Sequence, residues 1–277
     1  MKMILRSCFA GLFGFLWFFA TPTFAGDRSH QRIVLHGGGV FQPEVIKQFV
    51  DWAGGNQARI LVITWAHEDS EGAFNRFRAA AEPLHPQTLE NAPSRADIAD
   101  KRSEFMTQLS RATGIFMTGG NQNELHAIIT RENLANELLQ RFSDGIVFGG
   151  SSAGTAIASE RMFDGRYDPN SIDPKSVGIV AGLGLLAKEI LVDQHFIQRG
   201  PRHNRMIAAL FSGKQTLGIG IDAHTALAIE DMQTMHCLGE SVVVIYDRPD
   251  PNKPISYDLL RPGETYDMVR REKIPSK

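Results

Sequence analysis

The stretch VFGGSSAGTAIAS (residues 147–159) passes from an apolar, strand-like run through two glycines and two serines into small residues that suit a helix. Its centre, GSSAG at residues 150–154, matches the pattern G-x-S-x-G, which places the central serine on a tight turn between a strand and a helix. Such a turn has a strained backbone and needs small neighbours, and this pattern supplies them. The stretch therefore predicts a strand–turn–helix unit with Ser152 at its tip.

The position of Ser152 makes its hydroxyl the candidate nucleophile, and Ser151 is interpreted as a small spacer. The backbone N–H of Ala153 is a natural donor to an oxyanion, and the predicted helix directs the positive end of its dipole towards the same point. Serine also caps helices routinely, so the motif alone leaves a capping role open.

The same alternation of strand and helix extends along the chain. RIVLHGGG, ARILVITWA, TGIFMTGG and DGIVFGG resemble buried strands, and helical patterns follow each of them. This order predicts an α/β fold with a mainly parallel, flavodoxin-like sheet and helices on both faces. Beyond about residue 213, TLGIGID, TALAIE and SVVVIYD lack intervening helices, which predicts a C-terminal antiparallel extension.

Glycine-rich turns at residues 37–39, 119–120 and 149–150 follow three of these strands. Ligands bind at the carboxyl ends of parallel strands, so we expect the three turns to frame one site. GGGVFQ lacks the spacing of a dinucleotide fingerprint, and no phosphate-binding G-x-x-x-x-G-K-[ST] occurs. No cofactor and no metal are predicted.

A nucleophilic serine needs a base, and His195 is the best placed of the nine histidines. It lies in VDQHFIQRG, just after the strand-like EILVD, at what should be the same edge of the sheet as Ser152. An isolated histidine is more often structural than catalytic, but this placement favours a catalytic role.

The beginning of the chain predicts export. Lys2 and Arg6 precede an apolar run that ends in Thr23 and Ala25, which suits a signal-peptidase site. We expect residues 1–25 to be a cleaved signal peptide, residues 26–277 to form a single domain, and the protein to be secreted or periplasmic without a membrane association. An uncleaved anchor is the alternative.

Composition narrows the classes of partner. The formal net charge of −2 makes nucleic acid a poor candidate. With Cys8 inside the predicted leader, Cys237 stands alone and no intrachain disulfide is expected. The adjacent His236 does not favour a metal or thiolate site, because neighbours on a strand face opposite ways.

Three arginines follow the candidate base in HFIQRGPRHNRM. If Pro201 opens a helix, Arg202 and Arg205 share one face, and Arg199 precedes them. Guanidinium groups bind carboxylates through paired hydrogen bonds, so this cluster predicts an acidic peptide as substrate. A solvated basic helix face is the alternative.

GGSSAG, MTGGNQNEL and VDQHFIQRG together resemble the cyanophycinase and peptidase E family of serine peptidases, over roughly residues 31–247. The resemblance implies a fold similar to class I glutamine amidotransferase domains, with Ser152 as nucleophile and His195 as base. It also implies that Gly119 and Gly120 join Ala153 at the oxyanion hole. The substrate pocket would then contain Asp193 and Gln194.

The resemblance also implies an acid some fifteen to eighteen positions after the serine. Asp168 fits best, with Asp164 and Asp173 as alternatives, whereas Glu160 should lie within a helix. The arginine block is one residue longer here than the R-x-R-x-x-R of cyanophycinases, because of Pro201, which leaves the exact substrate open.

These observations predict a secreted, metal-independent serine exopeptidase that cleaves cyanophycin, or related acidic peptides, to β-aspartyl-arginine dipeptides. The alternatives are an α-aspartyl dipeptidase like peptidase E and a non-catalytic acidic-peptide-binding protein. A lipase-like esterase is suggested by HGGG at residues 36–39, but that loop follows the first strand here, too early for such enzymes. A homodimer is left open.

Overall fold

The computed structural model describes residues 30–200 and 202–275. The strands are β1 Arg32–His36, β2 Arg59–Ile63, β3 Thr88–Asn91, β4 Gly114–Met117, β5 Val147–Ser151, β6 Arg161–Tyr167, β7 Val177–Ala181, β8 Ile190–Gln194, β9 Leu217–Ile221, β10 Thr225–Glu230, β11 Thr234–Gly239, β12 Val243–Asp247, β13 Ser256–Leu260, β14 Thr265–Asp267 and β15 Glu272–Ile274. The helices are α1 Pro43–Trp52, α2 Ser70–Ala81, α3 Arg102–Arg111, α4 Gln122–Arg131, α5 Ala135–Ser143, α6 Ala153–Ala156 and α7 Arg202–Phe211, with short 3₁₀ helices at Gly55–Gln57, Glu82–Leu84 and Pro174–Ser176.

The largest sheet has nine strands in the order β15-β14-β11-β10-β1-β5-β4-β2-β3. In this spatial order, β1, β5, β4, β2 and β3 are parallel to one another, and β10, β11, β14 and β15 each pair antiparallel with their neighbours. Strands β1, β2, β4 and β5 are largely apolar and almost wholly buried, as expected where helices cover both faces, whereas the edge strand β3 is half-buried. The expected α/β fold with a mainly parallel sheet is therefore confirmed.

The C-terminal strands are divided between two sheets, whereas the sequence suggested one antiparallel extension. A second sheet has the order β13-β12-β9-β8, in which β8 and β9 are parallel. Helix α7 connects those two strands, and a helical crossover is what a parallel pair requires. A separate β6–β7 hairpin completes the described fold.

Helices pack against the two faces of the large sheet. On one face, α1 and α2 bury Phe49 and Phe77 against Phe116 of β4, with ring centroids 4.3 to 6.1 Å apart. On the other, α3, α4 and α5 bury apolar residues such as Phe105 and Leu138. Burying one such side chain stabilises the fold by roughly 1.5–3 kcal/mol, so this packing fixes the strand ends that carry the site.

Two sequence expectations fall outside the described residues. They are the predicted leader, residues 1–25, and the conformation of Pro201. In the part of the chain that the structure describes, none of the helices is both long enough and apolar enough to cross a membrane.

Candidate active site

Ser152 stands on a sharp turn directly after β5. Its backbone adopts φ 52° and ψ −106°, which is unusual for a residue with a side chain. The N–H of Ser152 donates to the carbonyl of His36 on the neighbouring strand at 3.0 Å. The hydroxyl of Thr155 lies 2.7 Å from that carbonyl and 2.8 Å from the carbonyl of Gly150. These bonds hold the turn in its strained form.

The sequence suggested a glycine-rich turn at residues 149–150, but both glycines belong to the strand. Strand β5 continues through Gly149 and Gly150 to Ser151. A β-carbon on Gly149 would overlap the Phe116 ring, and one on Gly150 would overlap the backbone of the following helix. The glycines therefore serve close packing around the turn, which begins only at Ser152.

The helix after Ser152 is shorter than the sequence suggested. Helix α6 has four residues, and the chain then turns towards β6. A single turn of helix carries little of the dipole of a long one, because that dipole sums over aligned peptide units. Stabilisation of an anion near Ser152 must therefore come mainly from individual N–H groups.

The predicted donors for that role are the N–H groups of Gly119, Gly120 and Ala153; Gly119 packs against Ser152 and Ala153 follows it, whereas Gly120 packs against Ala66. Gly119 packs so closely that a β-carbon there would come within 3.2 Å of Ser152 Cβ. Within residues 30–200 and 202–275, the N–H groups of Gly119, Gly120 and Ala153 donate no hydrogen bond. Unpaired donors beside a nucleophile are the geometry that an oxyanion hole requires.

His195 follows β8 and reaches Ser152 from the neighbouring sheet. Its Nε2 lies 3.1 Å from Ser152 Oγ, within hydrogen-bond distance. The N–H of His195 donates to the carbonyl of Gly37 at 2.8 Å, and its ring occupies the space that a β-carbon on Gly38 would need. The glycine turn after β1 thus leaves room for the imidazole.

The surroundings of His195 keep its imidazole neutral. Its pKa is lowered to about 4: burial is the largest cause, the positive charges of Arg199 and Arg202 act in the same direction, and Asp193 and Asp222 oppose them. A neutral imidazole can accept a proton at neutral pH, as a general base must.

Asp168, the predicted third member of the triad, does not approach His195. It lies in the exposed connection after β6, where its carboxylate accepts the N–H of Asn170 at 2.9 Å. In the described part of the chain no hydrogen bond or ion pair joins it to the imidazole. An Asp-Pro-Asn sequence favours such a local turn, and this local bond replaces the long-range contact that the resemblance implied.

The alternative acids are also engaged elsewhere. Asp164 pairs with Arg166 at 2.6 Å. Asp173 accepts the N–H of Lys175 at 2.8 Å and caps a 3₁₀ helix. Glu160 lies in an exposed bend and not in a helix.

Asp222 is an acid that the fold places next to His195; its charge raises the pKa of the imidazole, and no hydrogen bond joins the two side chains among the described residues. Strands β8 and β9 are parallel and in register, so the first residues after them, His195 and Asp222, are neighbours. Asp222 is 2% exposed, and its carboxylate accepts the Ile197 N–H at 3.1 Å and the Ser241 hydroxyl at 2.5 Å. The sequence signal was the aspartate that ends GIGID, another strand end.

The predicted substrate residues have different positions. Asp193 is 1% exposed and forms ion pairs with Arg202 at 3.0 Å and Arg205 at 2.5 Å. Because these three groups are buried and paired with one another, they do not offer a binding surface to a substrate. The sequence could not show that the two arginines face inward. Gln194 is buried and places its Oε1 3.4 Å from Ser152 Oγ. Of the five predicted substrate residues, only Arg199 is exposed.

The open side of the site is a cavity of about 730 Å³. Its lining includes Ser152, His195, Gly119 and Arg199, so it brings the candidate nucleophile, base and oxyanion donor to one space with a guanidinium that pairs with no acid among the described residues. That volume is typical of a site for a small ligand or a peptide segment.

A second serine–histidine pair lies behind the first and was missed by sequence reasoning. His36 Nδ1 lies 3.1 Å from the hydroxyl of Ser151, and its Nε2 lies 3.4 Å from Gln42 Oε1. Gln42 in turn donates to Glu240 at 3.2 Å. Burial lowers the pKa of His36 to about 4. Because Gln42 Oε1 can only accept, Nε2 carries the proton and Nδ1 accepts from Ser151.

Cys237 and His236, which are adjacent in the sequence, do not form a thiolate–imidazole pair. Cys237 is buried and its thiol donates to the carbonyl of Leu260 at 3.5 Å, while burial raises its pKa to about 12. His236 contacts Thr265 and not the thiol. Among the described residues, no three His, Cys, Asp or Glu side chains are grouped as metal ligands.

The fold and this geometry define a serine hydrolase built on a mainly parallel α/β sheet. The model of peptidase family S51 matches residues 33–236, and the chain belongs to that family of serine-type peptidases. This membership excludes the lipase-like interpretation of residues 36–39.

Relatives and a solved structure agree with the family. The chain is 31% identical over 261 residues to a cyanophycinase of Synechococcus elongatus, covering 86% of this chain and 80% of that one. It is 30% identical over 205 residues to a cyanophycinase of Geminocystis herdmanii, covering 74% and 75%. The crystal structure of a peptidase from an acI-B1 actinobacterium matches with a TM-score of 0.65 at 20% identity, over 87% and 98% of the chains, which shows a shared fold.

Proposed function

We propose that this peptidase is exported and hydrolyses aspartyl peptide bonds of cyanophycin, or of related acidic peptides, to β-aspartyl-arginine dipeptides. The 3.1 Å contact between Ser152 Oγ and His195 Nε2, inside a cavity that also holds Arg199, is the observation that carries the proposal. The cyanophycinase relatives support the choice of substrate.

The reaction follows from the positions of these groups. Ser152 Oγ attacks the peptide carbonyl while His195 Nε2 takes its proton, and the N–H groups of Ala153 and Gly119 stabilise the oxyanion. His195 then returns the proton to the leaving amine as the C–N bond breaks, which leaves an ester on Ser152. Water, deprotonated by the same imidazole, hydrolyses that ester. We assign Asp222 as the acid that favours the charged imidazole.

Arg199 supports an acidic substrate. It is the one member of the predicted arginine cluster that borders the cavity, and the described residues offer its guanidinium no acidic partner. A carboxylate next to the scissile bond would pair with it through charge-assisted hydrogen bonds.

Export is supported by the sequence of residues 1–25 and by the nature of the substrate. Cyanophycin is a poly-aspartate chain with an arginine on each side-chain carboxyl, and it is too large to be imported whole. An enzyme that degrades it therefore acts more usefully outside the cytoplasm.

Incubation with purified cyanophycin, followed by mass analysis of the products, tests this function. We expect β-aspartyl-arginine dipeptides, a loss of about 10⁴-fold or more for S152A, and less than about tenfold for S151A as the matched control. Cleavage of α-aspartyl dipeptides alone would favour a peptidase E-like activity. Binding without turnover would favour a non-catalytic protein, and equal losses in both variants would remove Ser152 as the nucleophile.

A further inference from the structure

The cavity extends to both sides of Ser152. In the sheet order β1-β5-β4-β2, Ser152 follows β5, with the end of β1 on one side and the ends of β4 and β2 on the other. His195 and Arg199 lie towards the β1 side, because His195 packs on the turn after that strand. The opposite wall is formed by His67, after β2, and by helix α2.

That opposite wall has one cationic group among small residues. Arg76 lines the cavity together with Ala73, Ala79 and Ala80 of α2. Positions three or four residues apart share one face of a helix, so Arg76 is the long side chain of an otherwise alanine-lined face. Its side chain is exposed, and in the described part of the chain it forms no hydrogen bond or ion pair. A guanidinium in this setting is available to an anion.

The polar groups on this wall are donors. His67 Nδ1 accepts the N–H of Asp69 at 3.0 Å, so the ring proton of the neutral imidazole is on Nε2. The residues that line the cavity include Arg76, Arg199 and His67, and no aspartate or glutamate among the described residues joins them. The cavity is therefore suited to a ligand with more than one carboxylate.

We propose that Arg76, with His67 beside it, is a second carboxylate-binding subsite across Ser152 from Arg199. Substrates that carry carboxylates on both sides of the scissile bond would then occupy both subsites. This inference rests on the proposed function, because it assumes that the scissile bond lies at Ser152.

A substrate series with single amidations isolates the subsite. The parent compound is two β-aspartyl-arginine units joined through the aspartate backbone, and in two analogues the arginine carboxylate of one unit is converted to an amide. The variants are R76Q and R199Q. R78Q is the control, because Arg78 lies on the same helix but packs over Phe74 at 5.7 Å.

We expect R76Q to raise KM for the parent roughly tenfold, the size of one charge-assisted bond at an accessible site, and R78Q to leave it unchanged. One analogue should be insensitive to R76Q and still sensitive to R199Q, and the other should show the reverse. Equal effects of R76Q on the parent and both analogues, or no effect at all, would overturn the proposal.

Binding to the S152A variant keeps this test independent of turnover. Calorimetry with the parent and its analogues should show the same crossed pattern in Kd when R76Q or R199Q is added to S152A. If wild-type protein cleaves none of these compounds, the proposed function fails while this measurement still decides the subsite. A Kd that R76Q does not change would then overturn it.

Discussion

Two adjacent serines each meet a histidine nitrogen at 3.1 Å, but in different surroundings. Ser152 is on a strained turn at the cavity, and His195 is half-buried. Ser151 is in a regular strand, and His36 is completely buried. A hydrogen bond to imidazole is therefore not what distinguishes a nucleophile here. Both serines line the cavity, and the distinction lies in the turn, which places Ser152 beside Gly119 and Ala153, whose N–H groups donate no hydrogen bond among the described residues.

The two histidines also differ in their second partners. His36 is held by Gln42, a neutral amide, whereas the sheet register makes Asp222 a neighbour of His195, whose pKa the charge of Asp222 raises. The negative charge of a carboxylate attracts the imidazolium that forms when a base takes a proton, and a neutral amide lacks that charge. The His36 pair is therefore suited to hold the strand ends together, and the His195 pair is suited to transfer a proton.

Among the tests that compare the two histidines, substitution of Asp222 has the largest expected effect. D222N should lower kcat/KM on the order of 100-fold and shift the pH at which activity is lost on acidification to lower values, because the carboxylate raises the pKa of His195. The matched control is D168N, at the exposed acid that the sequence suggested, which should stay near the wild-type rate. S241A removes a hydrogen bond to Asp222 but not its charge, so it separates misfolding from the electrostatic effect.

The opposite pattern would contradict this assignment. If D168N loses activity while D222N retains it, with both variants folded by thermal melting, the acid comes from the loop after β6 and the neighbouring positions at the ends of β8 and β9 carry no catalytic role.

This case also shows what the sequence could and could not predict. Ser152 and His195 were identified because each follows an apolar strand within a short pattern. Asp222 follows a strand too, but its place beside His195 depends on β8 and β9 pairing across helix α7, a long-range contact that no local pattern encodes. The same holds for the pair of Ser151 with His36, which requires β1 and β5 to be neighbours.

The fold was predictable because its signals are local and repeated. Apolar strands that alternate with helical patterns imply a parallel sheet wherever the helices make the crossovers. Burial of charge was not predictable in the same way: spaced arginines indicate a solvated or binding face until the structure shows Arg202 and Arg205 paired with Asp193.

The next effect is on stability and concerns His36. Its pKa is about 4 in the folded protein and about 6.5 when unfolded, so below pH 6.5 the unfolded chain binds a proton that the folded chain does not. Folding stability should thus fall as the pH drops from 6.5 to 4, by about 3 kcal/mol from this group. Denaturant unfolding at several pH values should show that H36Q loses less free energy of unfolding than the wild type between pH 6.5 and 4. H195Q should change this pH dependence less than H36Q does, because the His195 ring is partly exposed and solvent screens its charge. Equal slopes in wild type and H36Q would contradict this prediction.

The smallest expected effect is on the ionisation of His195. Arg199 lowers the pKa of that imidazole, and the base must be neutral to act, so R199Q should move the acid limit of reactivity to higher pH. The rate at which an uncharged organophosphate inactivates Ser152, measured against pH, reports this limit without involving the carboxylates of a substrate. R78Q should leave the profile in place, and D222N should move it the other way. An unchanged R199Q profile would mean that the charge of Arg199 does not reach the imidazole, and a shift to lower pH would contradict the sign of its effect.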